Sequence, residues 1–458
     1  MKLTSIGKAL WLGALSAAVV FGVTSCVQSY TVGYLYVTGT VTSSTGNNGI
    51  ISGYQIDHNT GRLTSINGLP VSSGGANPVR AVLTLGSRFL YVLNRGANAS
   101  GNGNCYGTGA NACLNSNITL FTIGGNGILT PQETFYTQGV NPFRLMVDTS
   151  GTYLYVLDHD APDNASPSST DNCALALGKT VTTCSDITAF KIDSSTGRLS
   201  LMVNSQVTAA NGSSITYFPV PANPVDFVLA TGNILTLYST TSASAYPYTG
   251  GTTIFPYAWN SSSGQLTVST NGPQSLGIGA GTALVYASSV LYVLDNESVT
   301  ITFNKSTTTS PSQIIPYTVT TSGTLQAESS GVIPDDPTLG NPIYLIVENK
   351  GKYVYVANQG NNTTGSNPES GIAGYFLTTS PSYQLSFIAE EPFGSGSGPQ
   401  CIVEDPSYQF IYEANGYDST VTGRVVDPNT GDLNSMRVPG TYKLQGPATW
   451  CLVDGRTD

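Results

Sequence analysis

The chain has 458 residues, of which 10% are charged, against about 25% in an average soluble protein. Its net charge of −10 and the absence of any Lys/Arg run oppose non-specific binding to nucleic acid, which is therefore excluded as an expected partner. The length accommodates one large domain or several small ones.

The first 26 residues indicate export. Lys2 and Lys8 form a basic start, and residues 9–23 are an apolar run of signal-peptide length, too short to span a bilayer as a helix. The run ends in Thr24, Ser25 and Cys26, which resembles the lipobox of bacterial lipoproteins. That resemblance implies cleavage before Cys26, acylation of its thiol and a place in the cell envelope, at the outer membrane, facing the periplasm or the surface. The alternative is an ordinary secretory signal with a chance cysteine.

A strand of the type Leu-Tyr-Val-x-Asn recurs along the rest of the chain. Aromatic and β-branched residues in short runs bounded by Gly, Asn and Asp are typical of strands. The seven copies are residues 34–37, 90–94, 154–158, 234–238, 291–295, 354–358 and 411–415. An Asn/Gly-Pro step begins an apolar strand before most copies, at residues 77–78, 141–142, 223–224, 341–342, 398–399 and 446–447, with a degenerate version near Gly279.

Each unit also contains a tight turn that ends in Gly-x-Leu. Examples are residues 57–63, 193–199 and 427–433. Glycine supplies the positive φ of a hairpin, and Asp or Asn closes the turn through its side chain. Each unit therefore has four strands, as a propeller blade does.

The two ends of the chain predict a closed ring. The chain enters the repeat at a Tyr-Val strand (34–37) and finishes with an unpaired first strand (447–453), which would complete the first blade. We therefore predict an all-β fold, a seven-bladed β-propeller with four-stranded blades. Residues 1–25 are the signal peptide and residues 26–458 form the propeller.

These repeats and turns resemble the family of seven-bladed propellers that includes bacterial 6-phosphogluconolactonase and the YVTN surface proteins. The resemblance covers residues 30–458 and is specific for the fold. It implies, as one possible activity, hydrolysis of a lactone.

The cysteines support an exported chain. Six remain besides Cys26, an even number that favours disulfides. Four form two sequence-local pairs, Cys105 with Cys113 and Cys173 with Cys184. The other two, Cys401 and Cys451, are brought into neighbouring inner strands by the repeat. Their bond would close the ring, and two buried thiols are the alternative.

The long segments lie almost entirely after the second strand of a blade, at residues 95–117, 159–186, 239–252, 296–312 and 359–371. Antiparallel order places these segments on one side of the ring, here called the long-loop face. Insertions on one face of a repeat ring indicate the binding face.

Candidate site residues line the channel mouth on this face. Arg80 and Arg144 lie in adjacent blades, where two guanidinium groups bind a carboxylate or phosphate, or else pair with a neighbouring Asp to stiffen the ring. Other candidate ligand-binding residues at the strand ends are Arg95, Asp158, Asp160, Asp226, Tyr344, Asn358 and Asn415. His159 is a candidate general base, with a polar loop residue as the alternative.

Other chemistries find no support in the sequence. Asp158, Asp160 and Asp163 fit no standard calcium loop, and the two histidines form no zinc-hydrolase pair. We expect no metal and no cofactor. The first functional hypothesis is a monomeric, lipid-anchored binding or scaffold module for a protein, a glycan or a small sugar acid. The second is a lactonase, a carboxylic ester hydrolase, that uses Arg80, Arg144 and His159.

Overall fold

The computed structural model describes residues 30–43, 46–84, 86, 88–101, 105, 111–239, 251–269, 271–303, 306–328, 331–362, 368–378 and 383–455. The predicted signal peptide and Cys26 lie outside these residues. None of the helices in the described ranges has the length and apolarity that crossing a bilayer requires.

The regular secondary structure of the chain is almost wholly β-strand. The first two blades contain β1 (Thr31–Ser43), β2 (Gly46–Asp57), β3 (Leu63–Ser65), β4 (Val71–Ala76), β5 (Pro78–Leu83), β6 (Phe89–Asn94), β7 (Asn117–Ile123) and β8 (Leu129–Phe135). The third and fourth contain β9 (Val140–Val147), β10 (Tyr153–Asp160), a 3₁₀ helix (Pro162–Ala165), α1 (Asn172–Leu177), β11 (Ser185–Ile192), β12 (Leu199–Leu201), β13 (Phe218–Val220), β14 (Asp226–Ala230), β15 (Asn233–Tyr238), β16 (Thr253–Trp259), β17 (Leu266–Val268) and β18 (Gln274–Ser275).

The remaining blades follow in the same way. The fifth contains β19 (Gly281–Ala287), β20 (Val290–Asp295), the hairpin β21 (Val299–Phe303) and β22 (Ser306–Ser310), β23 (Gln313–Val319), β24 (Leu325–Ala327) and β25 (Ile333–Pro334). The sixth and seventh contain β26 (Pro342–Val347), β27 (Tyr353–Asn358), β28 (Gly371–Thr378), β29 (Gln384–Phe387), β30 (Pro399–Glu404), β31 (Phe410–Asn415), β32 (Thr420–Val426), β33 (Leu433–Ser435) and β34 (Thr441–Lys443). The last strand is β35 (Ala448–Asp454).

These strands form seven antiparallel blades, each with four strands from the channel outwards, for example β5-β6-β7-β8. The inner strands contact one another in the ring order β35, β5, β9, β14, β19, β26, β30. The first blade is completed by β35, which pairs with β1 from Tyr34–Asp454 to Gly39–Ala448. The predicted seven-bladed propeller and its closure are confirmed.

Disulfides link Cys105 to Cys113, Cys173 to Cys184 and Cys401 to Cys451. The last of these joins β30 to β35, the neighbouring inner strands of the seventh and first blades. The other two lie in long loops, and the Cys173–Cys184 bond belongs to a small buried cluster with Ala161, Leu177 and Val181.

The hydrophobic core lies between the blades, and a repeated tyrosine connects them there. The tyrosine of the second strand is buried, and its hydroxyl donates to a carbonyl oxygen in the outer turn of the following blade. The pairs are Tyr36–Gly127 (2.7 Å), Tyr91–Gly197 (2.5 Å), Tyr155–Gly264 (2.9 Å), Tyr355–Gly431 (2.7 Å) and Tyr412–Gly61 (2.6 Å). The last pair joins the seventh blade to the first.

The acceptor glycines are those of the Gly-x-Leu turns. Gly61 and Gly197 have φ values of 67° and 73°, which L-residues rarely adopt. The repeated glycine therefore serves two purposes, because it makes the hairpin possible and presents its carbonyl to the tyrosine of the preceding blade.

The bond at the ring closure gives a direct test of this role. We expect Tyr412→Phe to lower the free energy of unfolding by about 1 to 3 kcal/mol, because it leaves the Gly61 carbonyl oxygen without its donor. Tyr292 is the matched control, since it is equally buried and its hydroxyl has no hydrogen-bond partner among the described residues. Tyr292→Phe is expected to leave stability unchanged or raise it. Equal losses in both variants, measured by denaturant titration, would contradict the role of the bond.

Candidate functional site

The starts of the inner strands direct polar side chains into the channel. Asn77 and Asn141 each precede a proline, and their own φ values are 51° and 60°. Asn tolerates this conformation better than most L-residues. A β-bulge follows in six of the seven inner strands, as between Pro78 and Arg80. A bulge shifts the direction of the next side chains, and Arg80, Arg144, Tyr344 and Trp450 each follow such a bulge at the same level of the ring.

Arg80, Arg144 and Asp226 meet at this level. Arg144 Nε donates to Asp226 Oδ1 at 2.9 Å, and a terminal nitrogen of Arg80 lies 4.0 Å from the same oxygen. The other oxygen of Asp226 accepts from the Leu284 amide at 3.0 Å. The pairing with a neighbouring Asp is therefore present, but two guanidinium groups share a single carboxylate and the cluster keeps one excess positive charge.

Arg80 is the more enclosed of the two arginines, with 13% of its side chain exposed against 26% for Arg144. Burial, followed by the proximity of Arg144, lowers the pKa of Arg80 to about 10. The guanidinium is thus still charged at neutral pH, in a setting that favours an incoming anion.

Trp450 and Tyr344 complete the cluster. The guanidinium carbon of Arg80 lies 3.6 Å from the centroid of the Trp450 ring, and Tyr344 meets that ring edge-on at 4.9 Å. Among the described residues neither the Arg80 guanidinium nor the Tyr344 hydroxyl has a hydrogen-bond partner. Trp450 was not among the residues predicted from the sequence. In most inner strands the residue at the channel lies two positions after a proline, but in the last strand the bulge follows Ala448, so Trp450 lies three positions after Pro447.

Below the cluster lies a cavity of about 540 Å³ along the channel axis. It extends from Arg80 and Trp450 to Glu404 and Val453 at the opposite ends of the inner strands. Glu404 accepts from the Asn349 amide at 2.9 Å, and burial raises its pKa to about 7. The walls in between are aliphatic and include Val82, Leu145, Val228, Leu284, Ile346 and Leu452.

His159 lies beside the cluster, but its surroundings do not suit a general base. Its ring stacks on Phe143 with centroids 3.8 Å apart. Burial, and then the charges of Arg95 and Arg144, lower its pKa to about 3. An imidazole with this pKa is neutral and only weakly basic at pH 7, which argues against the general-base hypothesis.

Arg95 and Asp160 belong to a hydrogen-bond network that holds the long loops. Arg95 donates to the Cys105 carbonyl at 2.8 Å, and the Cys113 amide donates to Asn141 Oδ1 at 2.7 Å. Asn141 in turn donates to Asp160. These residues fasten the disulfide loop of the second blade to the third.

The polar residues that end the second strands are buried inside the blades. Asn94 donates to Asn117 across the sheet at 2.9 Å. In the third blade the same register pair is Asp158 with Asp186, and both are fully buried. Burial raises the pKa of both carboxyl groups, so the pair retains a proton at pH values where a free aspartate has lost it.

Asn358 and Asn415 are also fully buried. Asn415 donates to the hydroxyls of Thr420 and Thr422 on the adjacent strand, at 3.1 and 3.2 Å. The structure therefore brings Arg80, Arg144, Asp226 and Tyr344 together at the channel, and places Asp158, Asn358 and Asn415 within the sheets.

In the described part of the chain, one group of potential metal ligands is formed by Asp163, Asp171 and Cys173. Cys173 is bonded to Cys184, Asp171 caps α1 through the Ala174 amide, and Asp163 accepts from Asn172. The disulfide and the cap of α1 therefore account for the proximity of these three residues.

The comparisons with known proteins agree with the fold. Residues 34–184 match the family model described as lactonase, seven-bladed β-propeller. No curated protein matches the sequence. The resemblance inferred from the repeats is confirmed for the matched residues, and the fold is a seven-bladed β-propeller.

Three solved structures share this architecture at low identity. A Bacteroides fragilis protein and a Bacteroides uniformis protein, both provisionally described as 6-phosphogluconolactonases, are each 13% identical with a TM-score of 0.61. The matches cover 94% and 92% of this chain, respectively, and 99% of each of the other two. The periplasmic gluconolactonase of Pseudomonas aeruginosa is 14% identical over 92% of this chain and 98% of its own, with a TM-score of 0.60. At this identity the likeness shows the fold alone.

The Asp158–Asp186 pair predicts a pH-dependent stability. Because both folded-state pKa values are raised, the stability contributed by the pair is full below about pH 4, the ordinary pKa of aspartate, and falls as the pH rises toward the folded-state values. Asp186→Asn replaces one of the two acids by the amide that Asn117 supplies at the same register in the second blade. It is expected to raise the free energy of unfolding at pH 7.5 by about 1 kcal/mol, with little effect at pH 4.

Glu133→Gln is the control for this measurement, because Glu133 forms an exposed ion pair with Arg198 at 2.9 Å. It should change stability by less than about 0.5 kcal/mol at either pH. Loss of stability in Asp186→Asn at pH 7.5, measured by denaturant titration, would contradict the raised pKa values of the two carboxyl groups.

Proposed function

We propose that the protein is an exported, lipid-anchored propeller that binds a small organic anion, such as a sugar acid, at the long-loop end of its channel. This proposal rests on the surroundings of the Arg80 guanidinium. Its charged guanidinium stacks on Trp450, has no hydrogen-bond partner among the described residues and shares Asp226 with Arg144. A planar guanidinium held in this way is suited to bind a carboxylate through two parallel N–H groups.

Anchoring through Cys26 remains part of this proposal. Three disulfides support an oxidising compartment, and one of the similar structures is described as periplasmic. The long-loop face, tied down by two of these disulfides, is the surface on which we place any protein or glycan partner.

Lactone hydrolysis is the second candidate, favoured by the family match and by the similar structures described as lactonases. In this case Arg80 and Arg144 would stabilise the oxyanion that develops when water attacks the lactone carbonyl. Asp226, in contact with both arginines, is the carboxylate available to orient that water. His159 has no part in this scheme because of its low pKa.

Binding and hydrolysis are tested with gluconate and glucono-1,5-lactone. We expect gluconate to bind in calorimetry, and the double variant Arg80→Ala/Arg144→Ala to weaken its binding at least tenfold, through loss of both charged donors. Arg62→Ala, which removes an exposed arginine from an outer turn, should leave binding unchanged.

The two candidates are separated by turnover. Lactone hydrolysis above the spontaneous rate that the double variant loses would make the protein a lactonase. Gluconate binding without turnover would leave a binding protein. Absence of turnover, together with absence of binding by gluconate and by every other small carboxylate tested, would contradict the proposed function.

A further inference from the structure

The geometry points to an amphipathic anion as the ligand of the channel cavity, with its carboxylate at Arg80 and its hydrocarbon chain between the aliphatic walls. This inference rests on the proposed function, because it uses the same Arg80 site, and it names the class of ligand.

The head of such a ligand would meet a site that is already built. Trp450 fixes the plane of the Arg80 guanidinium, which leaves the N–H edge free for the two oxygens of a carboxylate. The Tyr344 ring is half-buried beside the same indole, and its hydroxyl offers a further donor. The excess positive charge shared with Arg144 favours an anion over a neutral polar group.

The walls of the cavity suit a hydrocarbon chain. Six inner strands each present an apolar side chain two residues beyond the cluster level: Val82, Met146, Val228, Ile346, Val403 and Leu452. The hydroxyls of a sugar ring would lose their hydration at these walls without gaining partners, which is costly. Methylene groups instead gain from leaving water at each step.

The dimensions and the far end of the cavity agree with this orientation. The volume of about 540 Å³ falls within the range of small-molecule sites. From Arg80 to Leu83 the strand rises by about 10 Å, enough for a chain of several methylenes. At the far end Glu404 presents a carboxyl group, which disfavours a second anionic group and leaves Arg80 as the place for the head.

A series of straight-chain acids tests the inference. Butanoate, hexanoate, octanoate and decanoate are titrated into the purified protein by calorimetry, with gluconate measured in parallel. Each added methylene that enters the cavity is expected to tighten binding about fourfold, until the chain is as long as the cavity and the gain stops.

Variants of the cavity and of its head site test where the hydrocarbon chain of the acid lies. Val82→Phe narrows the cavity and is expected to abolish most of the gain per methylene, whereas Leu452→Ala enlarges it and should move the plateau to longer acids. Val268→Phe makes the same change as Val82→Phe on an exposed outer strand and should leave the series unaltered. Arg80→Ala should weaken every acid in the series, since all use the same head site.

The outcomes separate the inference from the proposed function. Gluconate binding at Arg80 with equal affinities for all four acids would overturn the inference and leave the proposed function standing. A chain-length gain that survives unchanged in both Val82→Phe and Leu452→Ala would also overturn it, because the chain would then lie elsewhere. If neither gluconate nor any acid binds, the proposed function fails and the inference fails with it.

Discussion

A buried tyrosine hydroxyl donates to the carbonyl oxygen of a turn glycine in the next blade, and this contact recurs at five blade junctions, including the junction of the seventh blade with the first. Both partners belong to the repeat, so each blade carries a donor for one neighbour and an acceptor for the other. Apolar packing between blades has no preferred direction, whereas this bond fixes where one blade lies on the next. At these five junctions, including the one that closes the ring, it helps to set the spacing of the blades.

A ring with this spacing brings the same position of every inner strand to the same height around one axis. Residues far apart in sequence, such as Arg80, Asp226 and Trp450, thereby become a single cluster. In the strands that carry Arg80 and Trp450 a bulge precedes these residues, whereas the strand of Asp226 has none. The charge imbalance of the cluster and the aliphatic cavity beneath it are consequences of this convergence, since neither is apparent in any one blade.

The third blade departs from the pattern of its neighbours in its buried polar pair. Two acids, Asp158 and Asp186, replace the amide pair Asn94 and Asn117 at the same register inside the blade, and burial raises the pKa of both. The adjacent long loops carry both local disulfides, and Asn141 connects them through its side chain. Two of the three disulfides therefore lie in the loops of the blades that supply Arg80 and Arg144.

The sequence by itself determined the fold, its blade number and its closure, because strand period, turn glycines and the unpaired last strand are local signals repeated along the chain. It also placed Arg80, Arg144, Asp226 and Tyr344 at the channel, since repeat register is a matter of counting. Only the tertiary structure decided which of these residues meet, that Trp450 lies under Arg80, and that the pKa of His159 is low. Distances between blades, burial and shared counter-charges arise from the packed ring, and no single segment of the chain contains them.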